Sequence, residues 1–202
     1  TTIAMYIDGS LEGTVTNAQD VFMADVPVRI GSYSAGSSNP SNFFNGSIDD
    51  ARQWSRALSA SEVSTLYSTT LVLEDNLIAK YRLDVDTIDS VGSNNLTTNG
   101  TVGHATNGSD KYADFAGGYM ESTGNFDLTG KFSVSFWAKI DSASNYSGHT
   151  YAHMLEHGTA GANPYFDFYV LDGKLRSQHY TNGWVDNRGT TNVPAGWNHF
   201  VM

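Results

Sequence analysis

The stretch NFFNGSIDDARQWSRALSASEVSTLY, residues 42–67, decides the fold. Its first half has the aromatic and β-branched residues of a strand. In its second half, Ser59 can cap a helix that begins at Ala60, and Glu62 is placed to reach back as a capping box. The helix is predicted to end at about Tyr67, so it is too short to form a layer and is expected to cover one end of the sheets.

Short strand-like runs separated by Gly, Asn, Ser and Asp make up most of the remaining chain. Two turn dipeptides, Asp8-Gly9 and Asp172-Gly173, are strong hairpin signals. Together these features predict an all-β, two-sheet antiparallel sandwich with one short helix. The predicted strands are Ile3–Ile7, Leu77–Leu83, Lys131–Ile140, Tyr165–Leu171, Lys174–Tyr180 and Trp197–Met202.

Charge and composition exclude several classes of function. The 202 residues carry a formal net charge of −10 and no cysteine. Nucleic acids and anionic membranes need a cationic surface, so neither is an expected partner, and no apolar run is long enough for insertion into a membrane. Disulfides and thiolate metal sites are excluded. The chain begins at Thr1 without a secretory apolar segment, so any signal peptide is expected to have been removed or to lie outside this sequence.

Residues 42–67 closely resemble the closing segment of the laminin G-like, concanavalin A-like jelly-roll family, in which F-x-G-x-I-D-[DE] is followed by R-A-L-S-x-x-E-[IV]. Later segments resemble the opening half of the same family. The resemblance implies a jelly-roll sandwich. The opening-half segments are LIAKYRLD at 77–84, YADFAGGYMES at 112–122, FSVSFWAKI at 132–140 and WNHFVM at 197–202.

The order of these segments is inverted, since the closing segment precedes the opening ones. Residues 1–202 are therefore predicted to form one laminin G-like domain, with 1–70 corresponding to the family's C-terminal half and 71–202 to its N-terminal half. Either the domain is circularly permuted or the chain is a window across two tandem domains. Permutation is favoured because half-sandwiches would expose open edges and half a core.

Calcium is the cofactor that the resemblance implies, in a structural role. Carried over by motif, its ligands are Asp49 of GSIDD, Asp89 of the IDSVG loop and the carbonyl of Gly117 in DFAGG. The alternative is that Asp49 and Asp50 pair with Arg52 or accept loop amides.

Catalysis is not expected. The fold also hosts glycoside hydrolases, but none of the five glutamates stands in the E-x-D-x-E string that the resemblance would require. His149, His153 and His157 are spaced by four, yet the surrounding residues favour a strand, in which His153 and His157 would share a face. Ordinary structural histidines are the favoured interpretation over a transition-metal site.

Carbohydrate is the ligand that the sequence favours, because sugars stack their C–H faces on aromatic rings and need planar polar partners. Trp184 follows a turn and is flanked by polar residues, and Tyr151 can form a second wall. The predicted carbohydrate-binding residues are Trp184, Tyr180, Arg176, Asn182 and Tyr151. Other aromatic residues are predicted to lie in the core: Trp54, Phe132, Phe136, Trp137, Phe168, Trp197 and Phe200.

The sequence therefore predicts an extracellular, calcium-stabilised carbohydrate-binding or adhesion module without catalytic activity, whose partner is a polysaccharide or glycan. The alternative is a structural or assembly protein of a surface filament, appendage or virion, which packs against copies of itself. Both place the protein outside the cell or on a cell or virion surface.

Overall fold

A computed structural model describes residues 2–16, 22–34, 40, 42–69, 73–146, 148–158, 165–180 and 183–202. These residues form sixteen strands and one helix: β1 (Thr2–Ile7), β2 (Ser10–Thr16), β3 (Phe22–Val26), β4 (Val28–Ile30), β5 (Asn45–Trp54), α1 (Ala60–Ser68), β6 (Leu77–Tyr81), β7 (Leu96–Asn107), β8 (Asp110–Ser122), β9 (Phe126–Thr129), β10 (Ser133–Ser142), β11 (Ser144–Tyr146), β12 (His149–Gly158), β13 (Tyr165–Leu171), β14 (Lys174–Tyr180), β15 (Trp184–Asn192) and β16 (Trp197–Val201).

The strands form two layers around one core, which confirms the predicted all-β antiparallel sandwich. The main hydrogen-bonded path runs β15-β14-β13-β12-β4-β8-β5-β10-β16-β1-β2. The layers pack face to face, because Phe136 of β10 meets Phe168 of β13 with ring centroids 5.7 Å apart. We call β12–β15 with β4 the first layer, and β5, β10, β16, β1 and β2 the second layer.

Strand β8 belongs to both layers. Its residues 113–116 pair with β5, whereas Met120 and Glu121 pair with β4. At the opposite edge the layers meet again, where the Asn187 side chain of β15 donates a hydrogen bond to the carbonyl of Ile3 in β1 at 3.2 Å. The core is therefore enclosed at both edges of the sandwich.

Two tight turns fold as the sequence predicts. Asp8 and Gly9 have φ angles of 50° and 76°, and Asp172 and Gly173 have φ angles of 48° and 79°. Positive φ at both central residues is the geometry of the two-residue hairpin turn whose twist matches that of the flanking strands. These turns join β1 to β2 and β13 to β14.

The capping box is also confirmed at the start of α1. The amide of Ser59 donates to Glu62 Oε2 at 2.7 Å, and the amide of Glu62 donates to Ser59 Oγ at 3.3 Å. The helix buries Val63 and Leu66, and Leu66 packs in a small cluster with Trp54. These contacts fix the helix against the end of β5.

The first and last strands are antiparallel neighbours in the second layer. Tyr6 pairs with Val201 and Ile7 with Phe200, while β16 also pairs with β10 on its other side. Residues 6 and 7 thus share a hydrogen-bonded ladder with residues 200 and 201.

The prediction that Trp137 and Trp197 lie in the core is wrong. Side chains alternate along β10, so that Phe136 points into the core and Trp137 points away from it. The Trp137 ring stacks on Tyr67 of α1 with centroids 5.9 Å apart, and Trp197 packs edge-on against Tyr112 at 5.1 Å. Phe132 packs at the margin of the core, and the remaining predicted core aromatics are fully buried: Trp54, Phe136, Phe168 and Phe200.

Candidate binding surfaces

The outer surface of the first layer is unusually aromatic. On β13, Phe166 and Phe168 point into the core, so Tyr165, Asp167 and Tyr169 point to the opposite face. The register carries this outward row onto the neighbouring strands β12, β14 and β15. We call this side of the layer the aromatic face. Its rings belong to Tyr151, Tyr165, Tyr169, Tyr180 and Trp184, of which Tyr165 and Tyr169 are buried.

Trp184 is the exposed edge of the aromatic face. It pairs with Tyr180 across the β14–β15 hairpin, and the two ring centroids lie 5.3 Å apart. The rings of Tyr165 and Trp184 also meet edge to face, with centroids 5.7 Å apart. Trp184 nevertheless leaves 52% of its surface exposed, so its position is fixed by neighbouring rings while the ring itself faces solvent.

Tyr151 and Arg176 extend the same surface away from Trp184. The Tyr151 ring is stacked on His153 at 5.5 Å and on Tyr169 at 6.2 Å. Arg176 pairs with Tyr169 across the β13–β14 ladder and lies on the same side of β14 as Tyr180. The structure therefore brings four of the five predicted carbohydrate-binding residues to one face, and the fifth, Asn182, lies outside the described residues.

A buried polar cluster lies beneath the continuation of this face on β12 and β4. Glu156 is fully buried and accepts hydrogen bonds from Arg29 Nη1 at 3.0 Å and from the Ser34 hydroxyl at 2.9 Å. Its cross-strand neighbour Asp167 is also fully buried and bonds His153 Nδ1 at 2.8 Å. Burial, and then the charge of Asp167, raise the pKa of Glu156 to about 7.

The prediction that His153 and His157 share a strand face is wrong. A β-bulge between His153 and Leu155 shifts the register of β12, so the alternation of side chains reverses at that point. His153 stacks between Tyr33 and Tyr169 on the outer side, whereas His157 is fully buried beside Phe126. Burial lowers the pKa of His157 to about 3, so this ring is neutral at physiological pH.

The outer surface of the second layer holds a cleft of about 770 Å³. We call it the acidic cleft, because four aspartates line it. Two tryptophans, two tyrosines and the C-terminal end of α1 complete its walls. Its main lining residues are Asp49, Asp50, Arg52, Tyr67, Lys80, Arg82, Asp84, Asp110, Tyr112, Trp137 and Trp197.

Asp49 has the most perturbed carboxyl group in the acidic cleft. Its Oδ1 accepts the amide of Asp50 at 2.8 Å. Burial, together with the negative charges of Asp50, Asp84 and Asp110, raises the pKa of Asp49 to about 7. Asp50 instead forms an ion pair with Arg52. Both contacts agree with the alternative in which these aspartates bind a loop amide and an arginine.

Comparison with known proteins identifies the first third of the chain. A laminin G family model, described as the concanavalin A-like lectin/glucanases superfamily, matches residues 1–64. The match contains β1 to β5 and the start of α1, and it confirms the resemblance on which the fold prediction rested. No curated protein and no solved structure matches the chain.

The laminin G-like match supports a carbohydrate-binding or adhesion-type module. Laminin G-like domains are generally non-catalytic binding modules and are typically extracellular. In the described part of the chain no helix is long and apolar enough to cross a membrane. The matched segment contains Asp49, Asp50 and Arg52 of the acidic cleft. The residues of the aromatic face lie outside the matched segment.

The residues that the laminin G-like resemblance assigned to calcium are not brought together. Gly117 lies one residue beyond Ala116, which pairs with Asn45, and Asp49 is four residues further along β5. That separation is about 13 Å at the rise of a strand, far beyond one coordination shell.

Asp89 is engaged elsewhere. It lies in the loop after β6, and its buried carboxylate holds that loop together. It accepts hydrogen bonds at 2.9–3.3 Å from the backbone amides of Lys80, Val91, Gly92 and Asn94. Four amide donors leave this carboxylate poorly suited to a cation. The three predicted ligands therefore do not fit one calcium ion, and the described residues contain no cluster of three metal-ligating side chains.

Proposed function

We propose that this protein is an extracellular carbohydrate-binding or adhesion module without catalytic activity, and that the aromatic face binds the glycan. The observation that carries the proposal is the position of Trp184. Trp184 is 52% exposed, and its ring packs against Tyr180 and Tyr165, which restricts its rotation. A fixed, exposed indole can stack on the apolar face of a sugar without a large loss of side-chain entropy.

Polar partners for sugar hydroxyls lie beside the rings. Arg176 and Gln178 alternate with the core residues of β14 and share the outward side with Tyr180. On β15, Asp186 is the cross-strand partner of Gln178. Amide, guanidinium and carboxylate groups are planar donors and acceptors that can each bond adjacent hydroxyls of one ring. An aromatic platform flanked by such groups favours an extended polysaccharide.

The absence of catalysis is proposed from the state of a pair of carboxylates on the aromatic face. Glu156 and Asp167 face each other across β12 and β13, but both are fully buried. Arg29 binds Glu156 Oε1 and His153 binds Asp167 Oδ2. A glycosidase needs one carboxyl group free to donate a proton and another free to attack or to activate water. These two groups instead serve to hold the strands together.

We also propose that residues 1–70 and 71–202 form the two halves of one domain. The ladders support it, because β5 from the first half pairs with β6, β8 and β10 from the second half. Structural calcium remains part of the proposal at a site that does not use the Asp49, Asp89 and Gly117 set. The Asp-rich composition and the family resemblance support calcium, and no contact among the described residues does.

A glycan array tests the proposed function. The wild-type protein should bind a subset of polysaccharides weakly, with single-site affinities that rise when copies are displayed together on one surface. Trp184→Ala should abolish that binding while the thermal unfolding curve stays unchanged, and Asp127→Asn, an exposed residue on β9, should leave it intact. Array binding that survives Trp184→Ala would place the glycan elsewhere. If no glycan on the array binds, and the sedimentation coefficient of the protein rises with its concentration, the assembly alternative would be favoured.

A further inference from the structure

We propose that the acidic cleft on the second layer binds a primary alkylammonium group, of the kind carried by amino sugars and polyamines. The site is distinct from the aromatic face, since the core separates the two layers. Three features carry the inference: unneutralised carboxylates, a wall of aromatic rings and the C-terminal end of a helix. Each of these attracts a cation for an independent physical reason.

Four aspartates and three basic residues, Arg52, Arg82 and Lys80, line the acidic cleft, so its formal charge is −1 and leaves room for one additional cation. Both arginines already form ion pairs, because Arg52 pairs with Asp50 and Arg82 pairs with Asp84 at 3.0 Å. In the described part of the chain no ion pair is formed by either of the remaining aspartates, Asp49 and Asp110. These two carboxylates interact with each other unfavourably. A positively charged ligand would relieve that repulsion.

The aromatic wall is adjacent to the carboxylates. Trp137 is the cross-strand partner of Asp49 on β10 and β5, so the indole and the carboxylate are neighbours on the same face. Trp197 and Tyr112 meet at 5.1 Å on the neighbouring strands and form the other side. An ammonium group held over the face of an indole is attracted by the electrons of the ring, most strongly where water is excluded.

The end of α1 gives the third contribution. Tyr67, Ser68 and Thr69 line the cleft and belong to the last turn and the C-cap of the helix. Backbone carbonyls at a helix C-terminus carry a partial negative charge that favours cations. The last turn of α1 contains no basic residue of its own. The C-terminal end of α1 therefore lines the cleft with no basic residue in its own last turn.

An organic amine fits these walls better than a metal ion. Calcium takes six to eight oxygen ligands at short distances, and the described residues provide no cluster of three metal-ligating side chains. Aromatic rings provide no oxygen ligands for such an ion, yet they form much of this cleft. An alkylammonium group uses both kinds of wall, because its N–H groups bond carboxylates while its carbon chain covers the rings. The volume of about 770 Å³ is that of a typical small-ligand site.

Calorimetric titration near neutral pH and low salt tests the proposal with three probes. The first is the trimer of glucosamine, which carries free amines; the second is the same trimer fully N-acetylated; the third is spermidine. We expect the free-amine trimer or spermidine to bind at least tenfold more tightly than the acetylated trimer, and high salt to weaken the binding. Binding of the free-amine trimer alone identifies an amino sugar as the ligand, whereas binding of spermidine alone identifies a polyamine.

Two substitutions localise the binding. Asp49→Asn keeps the acceptor for the Asp50 amide but removes the charge, and it should weaken amine binding about tenfold, which corresponds to about 1.4 kcal/mol. Asp110 is more exposed, so Asp110→Asn should weaken amine binding by a smaller factor. Asp127→Asn alters the net charge equally outside the cleft, and Trp184→Ala alters the aromatic face; neither should change amine binding.

Three results would overturn the proposal. The first is equal affinity for the free-amine and acetylated trimers together with no binding of spermidine. The second is amine binding that Asp49→Asn and Asp110→Asn leave unchanged. The third is stoichiometric calcium binding that displaces the amine and is lost in Asp49→Asn, which would make the cleft a metal site. Loss of glycan binding in Trp184→Ala, with amine binding retained, would confirm that the two surfaces act separately.

Discussion

Replacing Asp49 by asparagine should stabilise the protein, and only above acidic pH. The pKa of Asp49 is raised to about 7 by burial and by its acidic neighbours. A carboxyl group whose pKa is higher in the folded state than in the unfolded chain prefers to fold in its neutral form. Its ionisation therefore costs stability as the pH rises from about 4 to about 7. Asparagine cannot ionise, so the free energy of unfolding of the variant does not fall in this way as the pH rises.

The size of the effect follows from the pKa difference. A difference of about three corresponds to about 4 kcal/mol for a fully buried group. The Asp49 side chain is only partly buried, and solvent screening reduces this to about 1–2 kcal/mol. In a chain of 202 residues that gain raises the melting temperature by roughly 3–6 °C. The hydrogen bond from the Asp50 amide survives, because an amide oxygen accepts as a carboxylate oxygen does.

Urea unfolding at three pH values measures the prediction. The free energy of unfolding of Asp49→Asn should exceed that of the wild type at pH 8, exceed it less at pH 6 and equal it at pH 4. Asp127→Asn carries the same change in net charge on an exposed strand and should show no such dependence. A variant that is less stable at pH 8, or equally shifted at all three values, would refute the assignment of a raised pKa to Asp49.

Three further predictions concern the core, the backbone and the proposed ion. Arg29→Met should cost about 3–5 kcal/mol in urea unfolding because it leaves the buried Glu156 carboxylate unpaired, whereas the same change at the exposed Arg82 should cost less than about 1 kcal/mol. Gly31→Ala should lower the melting temperature more than Gly108→Ala: both residues have positive φ, but only at Gly31 would the added methyl carbon lie 2.5 Å from an aromatic ring. Chelation by EDTA should lower the melting temperature by several degrees if calcium stabilises the fold by mass action, and an unchanged melt would remove calcium from the proposal.

Local chemistry was enough to predict the turns and the helix. The dipeptides Asp8-Gly9 and Asp172-Gly173 have the φ angles expected of them, and the Ser59 capping box starts α1 at Ala60. Each of these features depends on atoms within four residues of one another, so tertiary context does not alter them. The same locality explains why β13 and β14 begin and end at the predicted residues.

Side-chain direction could not be predicted wherever the register shifts. The bulge after His153 reverses the alternation of side chains along β12, and no residue type in that strand predicts the bulge. Trp137 was misassigned for a different reason. Its strand does alternate regularly, but a large aromatic ring was assumed to be core, whereas Tyr67 of α1 covers it on the outer side.

The two surfaces differ in how far the sequence predicted them. Trp184, Tyr180 and Arg176 were recognisable because they lie within one hairpin, where exposed aromatic and polar residues are close in the chain. The acidic cleft is built from α1 and several strands that lie far apart in sequence, and only the packing of α1 on β10 and β16 places Tyr67 beside Trp137 and His199. No motif marks such a cleft in advance.

The sandwich turns its two candidate surfaces in opposite directions. Trp184 projects from one layer and the cleft beside Trp137 opens on the other, with the Phe136 and Phe168 rings between them. Two sheets packed face to face are about 10 Å apart, so ligands held on both sides would not collide. One copy would then act as a two-sided connector between a glycan strand and an amine-bearing chain. Mixing the protein with both polymers would form a cross-linked gel, with a maximum at matched stoichiometry.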